Sequence, residues 1–234
     1  MNLDKMPELR IGELTVRKPI IQGGMGVGIS MAGLASAVAN EGGIGVISSV
    51  GLGSLKLDNY KNFREANKIA LRNEIRKTRE LTNGIFGLNI MVAVSDFDEM
   101  VRIAYEEKVD IIFLGAGLPI KFPKTLSLKE TRKANTKVAV IVSSARAARI
   151  IFNHWHRNYN HVPDAVVLEG PKAGGHLGFK KEQINDPKYK LESILPDVIE
   201  IVSEYERLFD KDIPVITAGG VFTGADIYKF LKLG

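Results

Sequence analysis

Short apolar runs alternate with longer amphipathic stretches along this chain. The runs cover residues 19–22, 44–48, 85–91, 109–114, 138–142, 165–168 and 213–217. They are rich in Val and Ile and show no clean polar/apolar alternation, the pattern of parallel strands buried on both faces. The stretches between them read as helices. An alanine-rich one spans residues 30–40, with Ser30 as its expected N-cap and Gly42-Gly43 as its stop. A glycine-containing excursion over residues 51–57 leads into a long charged helix that ends near Asn83-Gly84. Further helices are predicted over residues 96–107, from Ala145, over 191–209 and over 224–233. The connection through Pro119 and Pro123 is irregular, with a short helix expected near Leu128.

A series of β-then-α units builds either a (β/α) barrel or a doubly wound sheet. Small or polar residues stand just after the strands: Gly23, Ser48, Asn89, Gly115, Ser143, Glu169 and Ala218-Gly219-Gly220. All would face the rim where both folds bind ligands, and their spread around the sheet favours the barrel. The expected fold is therefore α/β: a (β/α)8 TIM barrel, a single domain over residues 1–234, truncated before its eighth strand. The chain reaches Gly234 after the seventh predicted helix. That reads as a fragment of a longer protein, or as a barrel completed by a partner segment.

Composition narrows the chemistry. With 234 residues, 45% of them hydrophobic, one barrel-sized core is within reach. Cysteine is absent, which excludes disulfides, thiolate metal sites and a cysteine nucleophile. It also sets aside the purine-nucleotide dehydrogenases of similar barrel shape, whose chemistry uses a cysteine. The first residues lack a signal pattern, and no apolar run approaches the roughly 20 residues that span a bilayer. The expectation is a cytoplasmic protein with no membrane partner. The net charge of +5 is partly local. Lys61, Arg64, Lys68, Arg72, Arg76, Lys77 and Arg79 share one predicted helix with Glu65, Glu74 and Glu80. Mixed signs at helical spacing read as a solvated face, and no nucleic-acid partner is expected.

Four motifs carry candidate chemistry. Gln22-Gly23-Gly24-Met25 follows the first strand; its glycines suit a tight turn or the approach of backbone amides to a flat ring or phosphate. Asn89 lies in an apolar strand, where its amide needs a partner: a neighbouring strand end or a ligand. The loop from Glu169 through Ala173, Gly174, Gly175 and His176 to Gly178 follows the sixth strand. Glu169 either contacts a ligand or pairs with a lysine such as Lys172. Lys172 either attracts an anionic substrate or is merely solvated. His176 is the candidate catalytic group, because a neutral imidazole can take a proton near neutral pH; otherwise it caps a backbone carbonyl. Gly219 and Gly220 follow the seventh strand, where barrel phosphate sites are common. His154, His156 and His161 cluster with Trp155 and Tyr159, but His154 and His156 are two residues apart on a helix and face apart. No metal is expected.

The order of these motifs resembles the nitronate monooxygenase family, formerly 2-nitropropane dioxygenases, which includes the flavin-dependent enoyl-acyl-carrier-protein reductases. The resemblance runs from Leu9 to the last residue, and Ala-Gly-Gly-His-x-Gly is its most specific part. It implies an FMN-binding TIM barrel. FMN would be held by Gln22, Gly23, Gly24, Met25, Asn89, Glu169, Ala173, Gly174, Gly175, Gly219 and Gly220, with Met25 nearest the ring and the last two glycines at the phosphate. The implied activity is oxidation of alkyl nitronates or nitroalkanes by O2 to a carbonyl compound and nitrite, with His176 as base. The alternative is an NAD(P)H-dependent enoyl-thioester reductase, whose acidic acyl carrier protein partner would suit the basic surface. A homodimer and an inactive fragment are the remaining expectations.

Overall fold

The computed structural model describes residues 6–56, 62–121 and 135–233. The chain divides into two compact units, one of residues 2–117 with 122–138, the other of residues 118–121 with 139–234.

The first unit opens with a hairpin absent from the sequence pattern. β1 (Leu9–Ile11) pairs antiparallel with β2 (Leu14–Val16), in register Leu9↔Val16. Gly12, at φ +56°, makes the turn, and Ile11 and Val16 are buried beneath it. The strand expected over residues 19–22 reduces to one parallel bridge, Ile21↔Ile44. Two hydrogen bonds hold it, Ile44 N–H to Ile20 O (2.9 Å) and Gln22 N–H to Ile44 O (3.0 Å). Pro19 lacks a donor and the chain turns away at Gly23, so no longer ladder forms.

Helix α1 (Ala32–Asn40) begins two residues after Ser30, which does not cap it. Met31 holds the N-cap position without a side-chain bond. The cap comes instead from a distant carboxylate: Glu74 Oε2 accepts from Ala32 N–H at 2.8 Å, placing negative charge at the positive end of the helix. The alanines of α1 serve close packing. A Cβ on Gly45 would lie 1.8 Å from Ala35 O, so this helix and the next strand touch at backbone distance.

Three parallel strands follow: β3 (Gly45–Ser48), β4 (Phe86–Met91) and β5 (Ile111–Gly115). Their registers include Ser48↔Asn89 and Asn89↔Phe113. Between β3 and β4 stand α2 (Leu52–Lys56), inside the glycine-containing excursion, and α3 (Phe63–Leu81); α4 (Phe97–Glu106) follows β4. Asn62 caps α3, its Oδ1 accepting from Arg64 and Glu65 N–H. The outer charges of α3 do form a solvated face, with Arg72 and Arg76 bridging to Glu107 on the α4 side at 3.0 and 2.7 Å. Glu74 departs from it: this residue is buried, with its carboxylate on α1. Lys61 lies outside the described residues.

The second unit repeats the parallel pattern. β6 (Lys137–Val142) pairs with β7 (Ala165–Glu169), and β7 with β8 (Val215–Ala218), in registers Val142↔Leu168 and Glu169↔Ala218. α5 (Ala145–Tyr159) joins the first pair; its cap is Ser144 Oγ, which accepts from Ala147 N–H at 3.2 Å. α6 (Leu191–Phe209) joins the second, and α7 (Gly224–Leu233) follows β8. α5 and α6 pack through Phe152 against Tyr205, with ring centroids 4.8 Å apart, and through Arg149 on Glu204 at 2.9 and 3.0 Å. The three clustered histidines engage different rings: His154 meets Tyr159, His156 meets Tyr205 and Phe209, and His161 stacks on Trp155.

Both units are thus parallel strands linked through helices, the α/β class expected. The helix expected near Leu128 lies outside the described residues. Among the described residues no helix is long and apolar enough to cross a membrane.

Candidate active site

Two groups of strand-end loops hold the predicted site residues, one in each unit. In the first unit the loop after Gln22 is tied down by side chains. Gln22 Nε2 donates to Ser30 Oγ (2.8 Å), Val46 O (3.0 Å) and Gly23 O (3.1 Å), while its Oε1 accepts from Val46 N–H (3.2 Å). Ser30 is fully buried. Its hydroxyl accepts from Met25 N–H at 2.8 Å and donates to Gly23 O at 3.1 Å. The amide of Gln22 is therefore spent on holding the loop.

Asn89, on β4, completes the arrangement. Its Nδ2 donates to Gly24 O at 2.8 Å, a neighbouring-segment partner of the kind its burial demands. A Cβ on Gly24 would come 2.4 Å from Asn89 Cβ, so only glycine fits there. The Oδ1 of Asn89 has no partner among the described residues. Behind it, Ser49 N–H and Oγ both donate to Asn89 O, and buried Asn67 on α3 links Ser49 O to Asp96. Beyond the tied segment the loop turns outward. Met25, Val27 and Ile29 are 42%, 85% and 61% exposed, and Val27 adopts φ +55°, a costly conformation for a β-branched residue.

In the second unit the loops after β7 and β8 are packed backbone to backbone. Gly170 N–H donates to Ala218 O at 2.8 Å, and Ala173 N–H to Gly170 O at 3.2 Å. Gly219, at φ +84°, leaves no space for a side chain: a Cβ would lie 2.8 Å from Gly170 O and 2.9 Å from Ala173 Cβ. The small side chain of Ala173 is part of the same fit. At the far end of the loop a Cβ on Gly178 would meet Ser143 Oγ at 2.3 Å, so the end of β6 also fixes its course.

The polar groups of this second set are mostly unspent. His176 is exposed and makes no hydrogen bond among the described residues; it does not cap a carbonyl. Glu169 does not pair with Lys172. Its carboxyl is half-buried, and that burial raises its pKa above the usual carboxylate range. The amides of Gly219 and Gly220 donate to nothing among the described residues. The helix start beyond them is different, because Asp226 closes it. Its Oδ2 accepts from Phe222 N–H (3.1 Å), Thr223 N–H (2.8 Å) and Thr223 Oγ1 (2.8 Å), and Asp226 N–H returns a bond to Thr223 Oγ1 (3.2 Å). This is a capping box built on Asp. The hydrogen bond from the Thr223 hydroxyl, then those from the two amides, hold the Asp226 carboxyl below its ordinary pKa.

Sequence patterns single out the glycine loops and His176 but not Ser30 as a hub, Asp226 as a cap, or Asn67 and Asp96 as support. Ser30 and Asp226 each stand near a helix start. A Thr-x-x-Asp spacing before an apolar run was the one signal that could have flagged Asp226.

Strand-end loops of a parallel α/β fold, carrying a free histidine and glycine turns, define a ligand-binding class of protein. Comparison with known proteins makes this specific: the nitronate monooxygenase family model matches residues 8–234, and the chain belongs to that family. It is 27% identical over 254 residues to a probable nitronate monooxygenase of Staphylococcus aureus (strain MSSA476), covering 94% of this chain and 62% of that protein. It is also 27% identical over 219 residues to a Mycobacterium tuberculosis protein, (3aS,4S,5R,7aS)-5-hydroxy-7a-methyl-1-oxo-octahydro-1H-indene-4-carboxyl-CoA dehydrogenase, covering 94% and 50%. Among solved structures, FabK from Thermotoga maritima superposes with TM-score 0.67 at 30% identity, over 92% of this chain and 55% of that one. A nitroalkane oxidase from Streptomyces ansochromogenes, at 24% identity and TM-score 0.67, shares the fold. The chain thus spans half to three-fifths of the length of these relatives.

Proposed function

We propose that this protein is an FMN-dependent oxidoreductase that oxidises alkyl nitronates or nitroalkanes with O2 to a carbonyl compound and nitrite, on a (β/α)8 barrel. The observation that carries the reading is the β7 loop: an exposed imidazole with no protein partner among the described residues, flanked by Gly174-Gly175 and Gly178. The residues fit a flavin nucleotide. Gly219 and Gly220, both at positive φ, offer amides with no partner among the described residues, and the amide oxygen of Asn89 likewise has none there.

FMN, when bound, supplies the electron transfer and the reaction with oxygen. The chain supplies placement and proton handling. His176 takes the proton from the carbon beside a nitro group and, once protonated, stabilises the nitronate anion. Glu169 offers a ligand a half-buried carboxyl, whose pKa that burial raises. Gln22, Ser30 and Asn89 hold the Gly23-Gly24-Met25 turn still, so its apolar edge is set before ligand arrives.

A second reading has its own support. The M. tuberculosis relative is named for a carboxyl-CoA substrate, a thioester, and for dehydrogenation. An NAD(P)H-dependent enoyl-thioester reductase is therefore the rival, and the net charge of +5 suits an acidic carrier. Protein supplied with FMN is assayed for oxygen uptake with a nitronate, and anaerobically for NAD(P)H oxidation with crotonyl thioester. We expect oxygen uptake without NAD(P)H oxidation. The reverse result replaces the first reading by the second, and absence of both with no yellow colour marks the chain as an inactive fragment.

A further inference from the structure

We propose that Lys172 is the counter-charge of the flavin's phosphate, and so the residue that makes this site select FMN over riboflavin. The inference rests on the flavin reading above and extends it to a residue outside the glycine motifs. A phosphate monoester is nearly a dianion at neutral pH, and neutral amides alone leave most of that charge uncompensated.

A helix N-terminus would be the ordinary source of compensation after β8. Here that source is already used. Asp226 takes the amides of Phe222 and Thr223 and the Thr223 hydroxyl, and brings a negative charge to the start of α7. What remains in this corner are the unpaired amides of Gly219 and Gly220. Lys172 lies directly against Gly220: a Cβ there would meet its Cβ and Cδ at 3.2 Å. Gly220 stands at φ +104°, so the aliphatic stem of the lysine runs over a residue that has no side chain to obstruct it.

Lys172 is exposed, and it has no acidic partner among the described residues. Glu169, three positions away, does not pair with it. Many other cations of this chain are engaged, including Lys18 with Glu41, Lys68 with Glu65 and Glu99, Lys211 with Asp164 and Lys229 with Glu192. A lysine whose stem packs on Gly220, and whose ammonium has no acidic partner among the described residues, is arranged to receive an anion in this corner.

The test uses the full 234-residue chain and measures dissociation constants for FMN and for riboflavin by quenching of flavin fluorescence, at low and at high salt. Two variants are compared with the wild type: Lys172→Met, which keeps the stem over Gly220, and Lys172→Arg, which keeps the charge. Thermal melting of each checks the fold, and as Lys172 is exposed no loss is expected. Lys172→Met is expected to weaken FMN about tenfold, the low end for a charge-assisted bond at an exposed site, and to leave riboflavin unchanged. It should also flatten the loss of FMN affinity with salt seen in the wild type. Lys172→Arg should restore both. Equal weakening of the two flavins, or none of either, overturns the assignment. Failure of the wild type to bind either flavin overturns the flavin reading on which it stands.

Discussion

The loop after Gln22 and the loop from Glu169 to Gly178 are both glycine-rich strand ends, yet they spend their polar groups in opposite ways. In the first, almost every side-chain hydrogen bond closes within the protein, through buried Ser30, Gln22 and Asn89. In the second, His176, Glu169 and Lys172 close none among the described residues, and the loop is shaped by backbone contacts and small residues. One loop is closed by its own side chains, and the other leaves its polar side chains without partners among the described residues. Glycine alone does not distinguish them; the partners of the polar neighbours do.

That contrast can be broken at each end. The largest effect is expected at His176. His176→Ala should lower turnover of a neutral nitroalkane by about 10²- to 10⁴-fold, as loss of a general base does, with unfolding free energy unchanged. Full turnover in steady-state assay would remove its role as base. Ser30→Ala should do the reverse in kind. Loss of a buried hydroxyl with three partners is expected to cost about 2–3 kcal/mol of stability in urea unfolding, with flavin affinity falling only as the loop loosens. A stability change within about 0.5 kcal/mol would show that the first loop is not framework.

The smallest effect concerns Glu169. Its pKa is raised in the folded state, so the native protein disfavours the ionised form. Its contribution is therefore neutral below the unfolded pKa, about 4.3, and becomes a penalty as pH rises through the folded value. Glu169→Gln should melt slightly higher than wild type at neutral pH and alike at pH near 4. A variant that melts lower at neutral pH would reveal a partner for the carboxylate and move Glu169 to the framework side.

Much of the architecture was legible because apolar runs and helix periodicity survive without tertiary information. The helices over residues 191–209 and 224–233 stand where the pattern puts them. The β1–β2 hairpin was not legible, since its strands are three residues long, too short for alternation to register. Ser30 looked like a cap because serine before an alanine helix usually is one. Its actual partners are set by Gln22 and by a turn that brings Met25 back, neither visible in local sequence. Glu74 was hidden for a related reason: on a helix crowded with charges, one buried carboxylate serving a distant helix start leaves no mark. At the site, His176 and the glycines were legible as residue types. That Glu169 and Lys172 do not pair with each other required coordinates.

The capping box at Thr223 and Asp226 bears on how a ligand would be read in solution. A helix whose first turn is closed by its own residues has no ordering left to gain there from an incoming anion. Ligand binding at this corner should thus register calorimetrically as docking onto a finished surface, with a small heat-capacity change, and not as folding coupled to association.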